Sequence, residues 1–359
     1  MNIPEMAVNE FIKKMAPIYK ICLSNNKFKM PALMLWGSPG VGKSDAMKTI
    51  AKTIGEELNK EINVTDVRLL LYNPVDLRGI PTADENKEFA KWLKPKIFQM
   101  DPSNDVVNFL ILDEITAAPQ SVQAAAYQIV LDRQIGEHQL PDNCIIIAAG
   151  NKITDKSVSY SMPKALANRM THIEIVPNVD DWKQWAIKNE IDPRIVGFIN
   201  YKPNTLFDFD PKSQDNAYPT PRSWEMVDNY IKINNNIDEM KPMIDGTIGM
   251  GASIEFVTFC KVFNKLPDIK AIADGKYHDY PASPDVYYDL QSAIVNCCNK
   301  EKISNKSLQN ILKYINGMQM EFAVLTAKDL VNSKSAAIIS KIINTDEWQE
   351  FSERVKDYL

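Results

Sequence analysis

Eight residues near the start of the chain constrain its fold more than any other stretch. They are Gly37-Ser38-Pro39-Gly40-Val41-Gly42-Lys43-Ser44, and they fit the pattern G-x-x-x-x-G-K-[ST]. The apolar run from Ala32 to Trp36 precedes the motif, and apolar residues at helical spacing follow it, among them Met47, Ile50, Ile54 and Leu58. The sequence therefore predicts a strand, a phosphate-binding loop and a helix in the order that this motif requires.

Each residue type in the motif has its own task. Glycines let backbone N–H groups turn inward around phosphates, Lys43 can reach the β and γ oxygens, and Ser44 offers a hydroxyl to Mg²⁺. The helix that follows directs its positive end at the nucleotide. We expect residues 37–44 to bind nucleotide phosphates, with Ser44 as a metal ligand. A Gly- and Pro-containing turn between a strand and a helix is the alternative interpretation.

Composition narrows the class of protein. The chain has 359 residues, 45% hydrophobic and 24% charged, which predicts about two globular domains with a proper core. Its net charge of -5 provides no broad basic field for nucleic acid. No secretory signal or membrane-spanning run is recognisable, the five cysteines form no C-x-x-C pair, and the three histidines are scattered. We expect a cytoplasmic protein with no membrane span and no transition-metal site.

The order of the predicted elements indicates the fold class, an α/β P-loop NTPase with a parallel sheet flanked by helices. A helix over residues 1 to about 30 leads into strands predicted at 32–36, 64–71, 107–112, 145–149 and 171–176. Beyond Pro177 the patterns are helical, with Trp182 and Trp185 as expected core residues rather than a base-stacking platform. We expect a nucleotide-binding domain over 1–178, a helical lid over 179–265 and a helical C-terminal region over 266–359.

An acidic pair follows the third predicted strand. The run Phe109-Leu110-Ile111-Leu112 ends in Asp113-Glu114, and parallel sheets bind ligands at the carboxyl ends of their strands. We expect Asp113 to hold the hydration shell of Mg²⁺, and Glu114 to orient and deprotonate water. An acidic pair that only ends a strand is the alternative.

An amide follows the next strand. Gly150-Asn151 places the Asn151 side chain at the same edge of the sheet, where it can hold water or the γ-phosphate without adding charge. A turn residue is the alternative, since asparagine favours turns. The run Asn151-Lys152-Ile153-Thr154 nearly matches the N-K-x-D motif that selects guanine. Thr154 stands where that motif needs Asp, so the sequence favours ATP.

Taken together, these motifs resemble those of AAA+ ATPases, and the sequence between them is similar to that of the MoxR-like group. The resemblance spans roughly residues 30–262 and includes several further segments. They are the segment 71–81, the acidic-pair segment 112–119 (the Walker B motif), the hairpin formed by 133–136 and 140–143, Ala165-Leu166-Ala167-Asn168-Arg169-Met170, and Thr220-Pro221-Arg222-Ser223-Trp224-Glu225.

The resemblance implies an ATP-driven ring, usually a hexamer, with nucleotide between neighbouring subunits. Arg169 matches the arginine finger that acts in trans, and Arg222 matches sensor 2. Each has a simpler explanation, since Arg169 near a helix C-terminus is favoured by the helix dipole and Arg222 can be a solvated side chain. However, Thr220 and Pro221 predict a helix start, and a cation in a first turn costs about 0.3 to 1 kcal/mol. We therefore expect Arg222 to contact phosphate, in cis or in trans.

The function expected from the resemblance is ATP hydrolysis that remodels or matures a protein partner, for which a von Willebrand factor A domain protein is one candidate. The hairpin over 133–143, which contains His138, and the insert over 83–93 are candidates for substrate contact. Two other functions stay open: a nucleic-acid-acting motor, such as a helicase loader or translocase, and a non-catalytic nucleotide-dependent assembly switch.

Overall fold

Two units make up the chain, Met1–Pro177 and Asn178–Leu359. The structure is a computed structural model that describes residues 3–24, 32–155, 160–263, 267–277, 279–281, 284–298, 303–332 and 336–355. The first unit alternates strands and helices, and the second is helical.

Ten strands and five helices are described in the first unit. In chain order they are β1 Glu5–Met6, α1 Val8–Ser24, β2 Ala32–Trp36, α2 Lys43–Leu58, β3 Glu61–Arg68, α3 Pro74–Arg78, β4 Ile80–Ala83, β5 Ala90–Leu93, β6 Val106–Asp113, α4 Gln120–Asp132, β7 Gln134–Ile135, β8 His138–Gln139, β9 Cys144–Gly150, α5 Lys164–Ala167 and β10 Met170–Ile175.

Six of these strands form one parallel sheet in the order β1-β10-β2-β9-β6-β3. The predicted fold class is confirmed, and the strand predicted at 32–36 has the predicted bounds. The strand predicted at 64–71 is shifted: β3 begins at Glu61 and ends at Arg68, and a 3-10 turn covers Leu69–Leu71. The sequence did not predict β1, because two residues carry no periodicity and only pairing with β10 defines them.

Helices cover both faces of the sheet, and its two central strands, β2 and β9, are accordingly buried and apolar along their whole length. On one face, Met34 and Trp36 of β2 belong to a core that includes Val122, Ala126 and Ile129 of α4. On the other face, Tyr19 of α1 contacts Phe109 of β6 edge to face, with ring centroids 6.4 Å apart. The sheet is therefore packed on both faces, and it determines the positions of the loops at its carboxyl edge.

The second unit consists of eleven described helices. They are α6 Val179–Lys188, α7 Pro193–Tyr201, α8 Pro221–Ile233, α9 Ile237–Ile248, α10 Met250–Phe263, α11 Ile269–Ala273, α12 Pro284–Cys298, α13 Asn305–Asn316, α14 Met320–Asn332, α15 Ala336–Ile343 and α16 Asp346–Val355. None of the described helices is long and apolar enough to cross a bilayer.

The described residues of the second unit form two hydrophobic cores. Trp182, Trp224 and Phe256 belong to the core formed by α6 to α10, where Trp185 also packs, while the core of the later helices includes Leu290 and Leu330. A buried ion pair joins their helices, since the Lys183 ammonium of α6 lies 2.8 Å from the Asp329 carboxylate of α14. Gln291 of α12 donates to the same carboxylate at 2.6 Å.

The five cysteines all lie in described segments, and none of them forms a disulfide. Burial raises the pKa of the Cys144 thiol to about 11 and that of Cys298 to about 12. Both thiols therefore stay protonated at neutral pH, and neither is a reactive nucleophile.

At Gly55, α2 packs closely against Lys60 and Ile62. A Cβ atom at Gly55 would overlap Ile62 Cγ1 and lie 3.2 Å from the Lys60 carbonyl oxygen. Although alanine favours helices by about 1 kcal/mol, we expect Gly55→Ala to lower the free energy of unfolding by about 1–3 kcal/mol, because overpacking dominates. Urea unfolding measures the change.

Gly246→Ala in α9 is the matched control, because a Cβ atom there meets nothing within 4 Å. This variant should raise the free energy of unfolding by about 0.5–1 kcal/mol. If both substitutions stabilised the protein equally, the close packing of α2 at Gly55 would be contradicted.

Candidate functional site

The phosphate-loop motif lies where β2 ends and α2 begins. Gly42 is the N-cap residue of α2 and has φ of 98°, a left-handed conformation that glycine adopts without strain. No side chain caps this helix start. The N–H groups of the first turn of α2 therefore remain available to an anion, and the helix dipole adds positive potential at the same point.

Lys43 connects this loop to the neighbouring strand β9. Its ammonium group donates to the carbonyl oxygens of Gly37 and Ser38, at 2.7 and 3.1 Å, and to Asn151 Oδ1 at 2.9 Å. Asn151 directly follows β9, and β9 pairs with β2. The structure thus brings the cation of the motif and the amide after β9 to one point at the carboxyl edge of the sheet.

Ser44 faces the acidic residue at the end of β6. Its Oγ lies 3.5 Å from Asp113 Oδ2, and both side chains are half-buried. Hydroxyl and carboxylate oxygens are the hard ligands that Mg²⁺ prefers in nucleotide sites. The donor set at Ser44 and Asp113 therefore fits a magnesium ion.

Glu114 has a strained backbone. Its φ is 57°, in the left-handed region that non-glycine residues rarely adopt, at a cost of about 1–3 kcal/mol. Its N–H group donates to Asp113 Oδ1 at 2.8 Å, and its carbonyl accepts from the N–H groups of Ala117 and Ala118. These local hydrogen bonds stabilise a turn at Glu114, where the chain leaves β6 directly after Asp113. Strain of this kind is characteristic of functional positions.

Thr116 is a site residue that the sequence analysis did not single out. Its side chain is buried, and its hydroxyl accepts from Asn151 N–H at 3.1 Å and lies 3.2 Å from Asn151 O, to which it can donate. One side chain thus joins the loop after β6 to the loop after β9. A polar residue two positions after Glu114, in an otherwise apolar stretch, is the signal that could have identified it.

Arg169 lies at the amino-terminal end of the parallel strands, opposite the carboxyl edge that carries the phosphate-loop motif. It directly precedes β10, whose first residue, Met170, pairs with Ala32 at the start of β2. Because β2 and β10 are parallel, the length of β2, about 13 Å, separates this position from the phosphate loop of the same chain. The Arg169 side chain is exposed, and within the described segments nothing hydrogen-bonds or pairs with its guanidinium group. The structure therefore does not bring Arg169 to its own phosphate loop.

Arg222 lies in the first turn of α8 in the second unit. The predicted helix start is confirmed: Thr220 is the N-cap residue, its Oγ1 accepts from Ser223 N–H at 3.0 Å, and Pro221 is the first helical residue. Arg222 is exposed, and no ion pair to it is found among the described residues. Its role in phosphate contact stays a prediction.

Comparison with known proteins supports this arrangement of motifs. Residues 32–172 match the ATPase family associated with various cellular activities (AAA). Chaperone MoxR1 of Mycobacterium tuberculosis is 27% identical over 141 residues, which cover 38% of this chain and 34% of that protein. The first unit is a MoxR-like AAA+ ATPase domain.

Further similar proteins match over a smaller part of their own length or at lower identity. Lon protease of Fervidobacterium nodosum is 28% identical over 195 residues, 52% of this chain and 22% of that protein. The chain thus spans 22% to 34% of the length of these two relatives. Among solved structures, the Thermotoga maritima RuvB Holliday junction branch migration motor has a TM-score of 0.33 at 15% identity, covering 98% of this chain and 97% of that chain. For C. elegans PCH-2 the TM-score is 0.35 at 14% identity, with 72% and 69% covered.

Two hairpins of the AAA+ domain pack together. The insert over 83–93 makes up most of the β4–β5 hairpin, which begins at Ile80, and the segment 133–143 contains the β7–β8 hairpin. His138 Nε2 lies 2.9 Å from the Trp92 carbonyl oxygen, a contact that joins the two hairpins. Apolar residues of the β4–β5 hairpin are exposed, Ile80 at 61%, Phe89 at 73% and Leu93 at 53%. The two candidates for substrate contact therefore lie next to each other, and contact with a substrate stays a prediction.

Thr116→Val should destabilise the AAA+ domain. Valine keeps the shape of threonine but leaves the Asn151 N–H group without its acceptor, so we expect the free energy of unfolding to fall by about 1–3 kcal/mol. Urea unfolding followed by tryptophan fluorescence measures the loss. Thr116→Ser retains the hydroxyl and should restore most of the stability. Equal stability of wild type and Thr116→Val would show that this hydroxyl does not hold the two loops together.

Proposed function

We propose that this protein hydrolyses ATP to ADP and phosphate in an oligomeric ring, and that the cycle remodels or matures a protein partner. One observation carries the proposal. Residues from the ends of three neighbouring strands converge at one edge of the sheet, with Lys43 Nζ 2.9 Å from Asn151 Oδ1 and Ser44 Oγ 3.5 Å from Asp113 Oδ2. A cation, an amide, a hydroxyl and two carboxylates are the groups that a nucleoside triphosphate site needs.

Each residue has a defined role in the proposed reaction. The backbone N–H groups of residues 37–44, except Pro39, which has none, bind the phosphates, and Lys43 neutralises charge on the β and γ groups. Ser44 and Asp113 would hold Mg²⁺, which supplies charge neutralisation when bound. Glu114 takes a proton from the attacking water while the water oxygen forms a bond to the γ-phosphorus. The bond between the γ-phosphorus and the oxygen that bridges it to the β-phosphate breaks, and ADP leaves. Asn151 orients that water or the γ-phosphate.

ATP is favoured over GTP by the residues after β9. The position that would bind guanine carries Thr154, which is exposed. The next residue, Asp155, accepts a hydrogen bond from the backbone N–H of Lys152 at 3.3 Å, so its carboxylate contacts its own turn. A bidentate guanine contact therefore has no suitable acceptor there.

Arg169 supports assembly into a ring, which we expect to be a hexamer. Its position at the far edge of the sheet and its exposed side chain suit action on the nucleotide of a neighbouring subunit. A guanidinium group carries a permanent charge and a fixed fork of donors, and such a finger accelerates phosphoryl transfer by about 10³–10⁵. Arg222 would add a second phosphate contact.

The insert favours a protein partner over nucleic acid. The hairpin that contains it exposes the apolar residues Ile80, Phe89 and Leu93, and the charged residues of the insert include both signs, as at Glu88 and Lys91. Phosphate neutralisation requires clustered lysine and arginine, whereas an apolar surface suits a protein. A cytoplasmic location and a client with a von Willebrand factor A domain complete the proposal.

Two variants should separate binding from turnover. Lys43→Ala should abolish ATP binding, because the γ-phosphate charge is no longer neutralised. Glu114→Gln should bind ATP with wild-type affinity and reduce phosphate release by about 10²–10⁴, because glutamine cannot accept the proton. Equilibrium binding of a fluorescent ATP analogue and a phosphate-release assay give the two values. Wild-type turnover in Glu114→Gln would contradict Glu114 as the base.

The kind of partner can be tested with the wild-type ATPase rate. We expect single-stranded DNA to leave the rate unchanged, and ATP-loaded Glu114→Gln to retain a specific protein on capture from lysate. Stimulation of several-fold by DNA, with an affinity that falls steeply as salt rises, would instead support a nucleic-acid motor. Tight ATP binding without phosphate release from wild type would support the assembly switch.

A further inference from the structure

We propose that His172 is a positioning residue for Arg169, which it attaches to the strand that leads into the phosphate loop. This inference rests on the proposed function, because it concerns the same hydrolysis and the same ring. The contacts of its ring carry the proposal.

Both nitrogen atoms of the His172 ring are in hydrogen bonds. Trp36 Nε1 donates to His172 Nδ1 at 2.8 Å, and His172 Nε2 lies 2.7 Å from the Ala167 carbonyl oxygen. An indole N–H group can only donate, so Nδ1 carries no proton, and Nε2 carries the proton that it donates to Ala167. The two rings are also stacked, with centroids 5.9 Å apart and planes at 21°. Contacts from two directions thus fix the orientation of the ring.

The two partners lie next to the two functional segments. Trp36 directly precedes Gly37, the first residue of the phosphate loop. Ala167 ends α5, two residues before Arg169, and the Arg169 N–H group donates to the Leu166 carbonyl oxygen at 3.0 Å. Carbonyl groups in the last turn of a helix lack donors within the helix, and His172 supplies one to Ala167. The turn that carries Arg169 is thereby held by a side chain anchored on β2.

This attachment matters because nothing else in the described segments holds the Arg169 side chain. Its guanidinium group is exposed, and α5 is only four residues long. A finger must reach the reacting phosphate accurately, and a misplacement of about 1 Å can cost about 10² in rate. Accuracy must therefore come from the backbone turn at residues 167–169, which His172 fixes.

His172→Phe is the variant that tests the role. Phenylalanine keeps an aromatic ring beside Trp36 but removes both hydrogen bonds. We expect kcat to fall by about 10–10², while the dissociation constant for ATP stays within about twofold of wild type, because the phosphate loop is unchanged. A loss of ATP affinity with unchanged kcat would overturn the proposal.

Mixing of variant subunits shows whether His172 acts through Arg169 of its own subunit or through the nucleotide pocket of its own subunit. Lys43→Ala subunits lack a pocket but supply Arg169, whereas Arg169→Ala subunits supply a pocket but no finger. In a random equal mixture, about one interface in four joins an intact pocket to an intact finger. His172→Phe subunits should gain activity when mixed with Lys43→Ala and gain none when mixed with Arg169→Ala.

The outcomes separate this inference from the proposed function. If His172→Phe behaves alike in both mixtures, active or inactive, its role does not go through Arg169 and the inference falls alone. If Lys43→Ala and Arg169→Ala fail to restore activity to each other, Arg169 does not act in trans and the inference falls with that assignment. Wild-type protein that releases no phosphate would overturn the proposed function and this inference together.

Discussion

The parallel pairing of β2 with β9 on one side and β10 on the other is the constraint on which the site depends. Strand pairing in register brings Gly150 beside Trp36, so the residues that follow both strands meet at one edge. The short contact between Lys43 and Asn151 follows directly from this register. A slip of one residue would move every side chain of β2 to the opposite face of the sheet, and both faces are buried and close-packed for the side chains that they now hold.

The same pairing separates some of the candidate site residues as firmly as it brings others together. β10 runs in the same direction as β2, so the residue before β10 must lie at the edge opposite the phosphate loop. The geometry of the sheet thus keeps Arg169 away from the phosphate-loop motif of its own chain, whereas that motif, Asp113 and Asn151 lie together at the carboxyl edge. Direct attachment between the two edges then depends on side chains, and the ring of His172 spans part of that distance.

Local sequence predicted most of the site because its residues follow directly after strong apolar strands. The run Phe109 to Leu112 identified β6, and chain direction alone then placed Asp113 at the carboxyl edge. Thr116 and His172 could not be predicted this way, because their roles come from partners 35 and 136 residues away in the chain. The strand β1 was not predicted for a similar reason, since only its pairing with β10 defines it. The left-handed backbone of Glu114 could not be predicted either, because glutamate rarely adopts that conformation.

The position of β1 also bears on how the protein behaves when handled. Glu5 and Met6 pair with Glu174 and Ile175, and Glu174 N–H donates to the Pro4 carbonyl oxygen at 2.9 Å. Without these residues, the outer edge of β10 would present unpaired N–H and C=O groups, which attract strands from other molecules. A purification tag or a truncation that displaces the first seven residues therefore promotes self-association through the sheet edge, and aggregates of that kind are easily mistaken for an assembled ring.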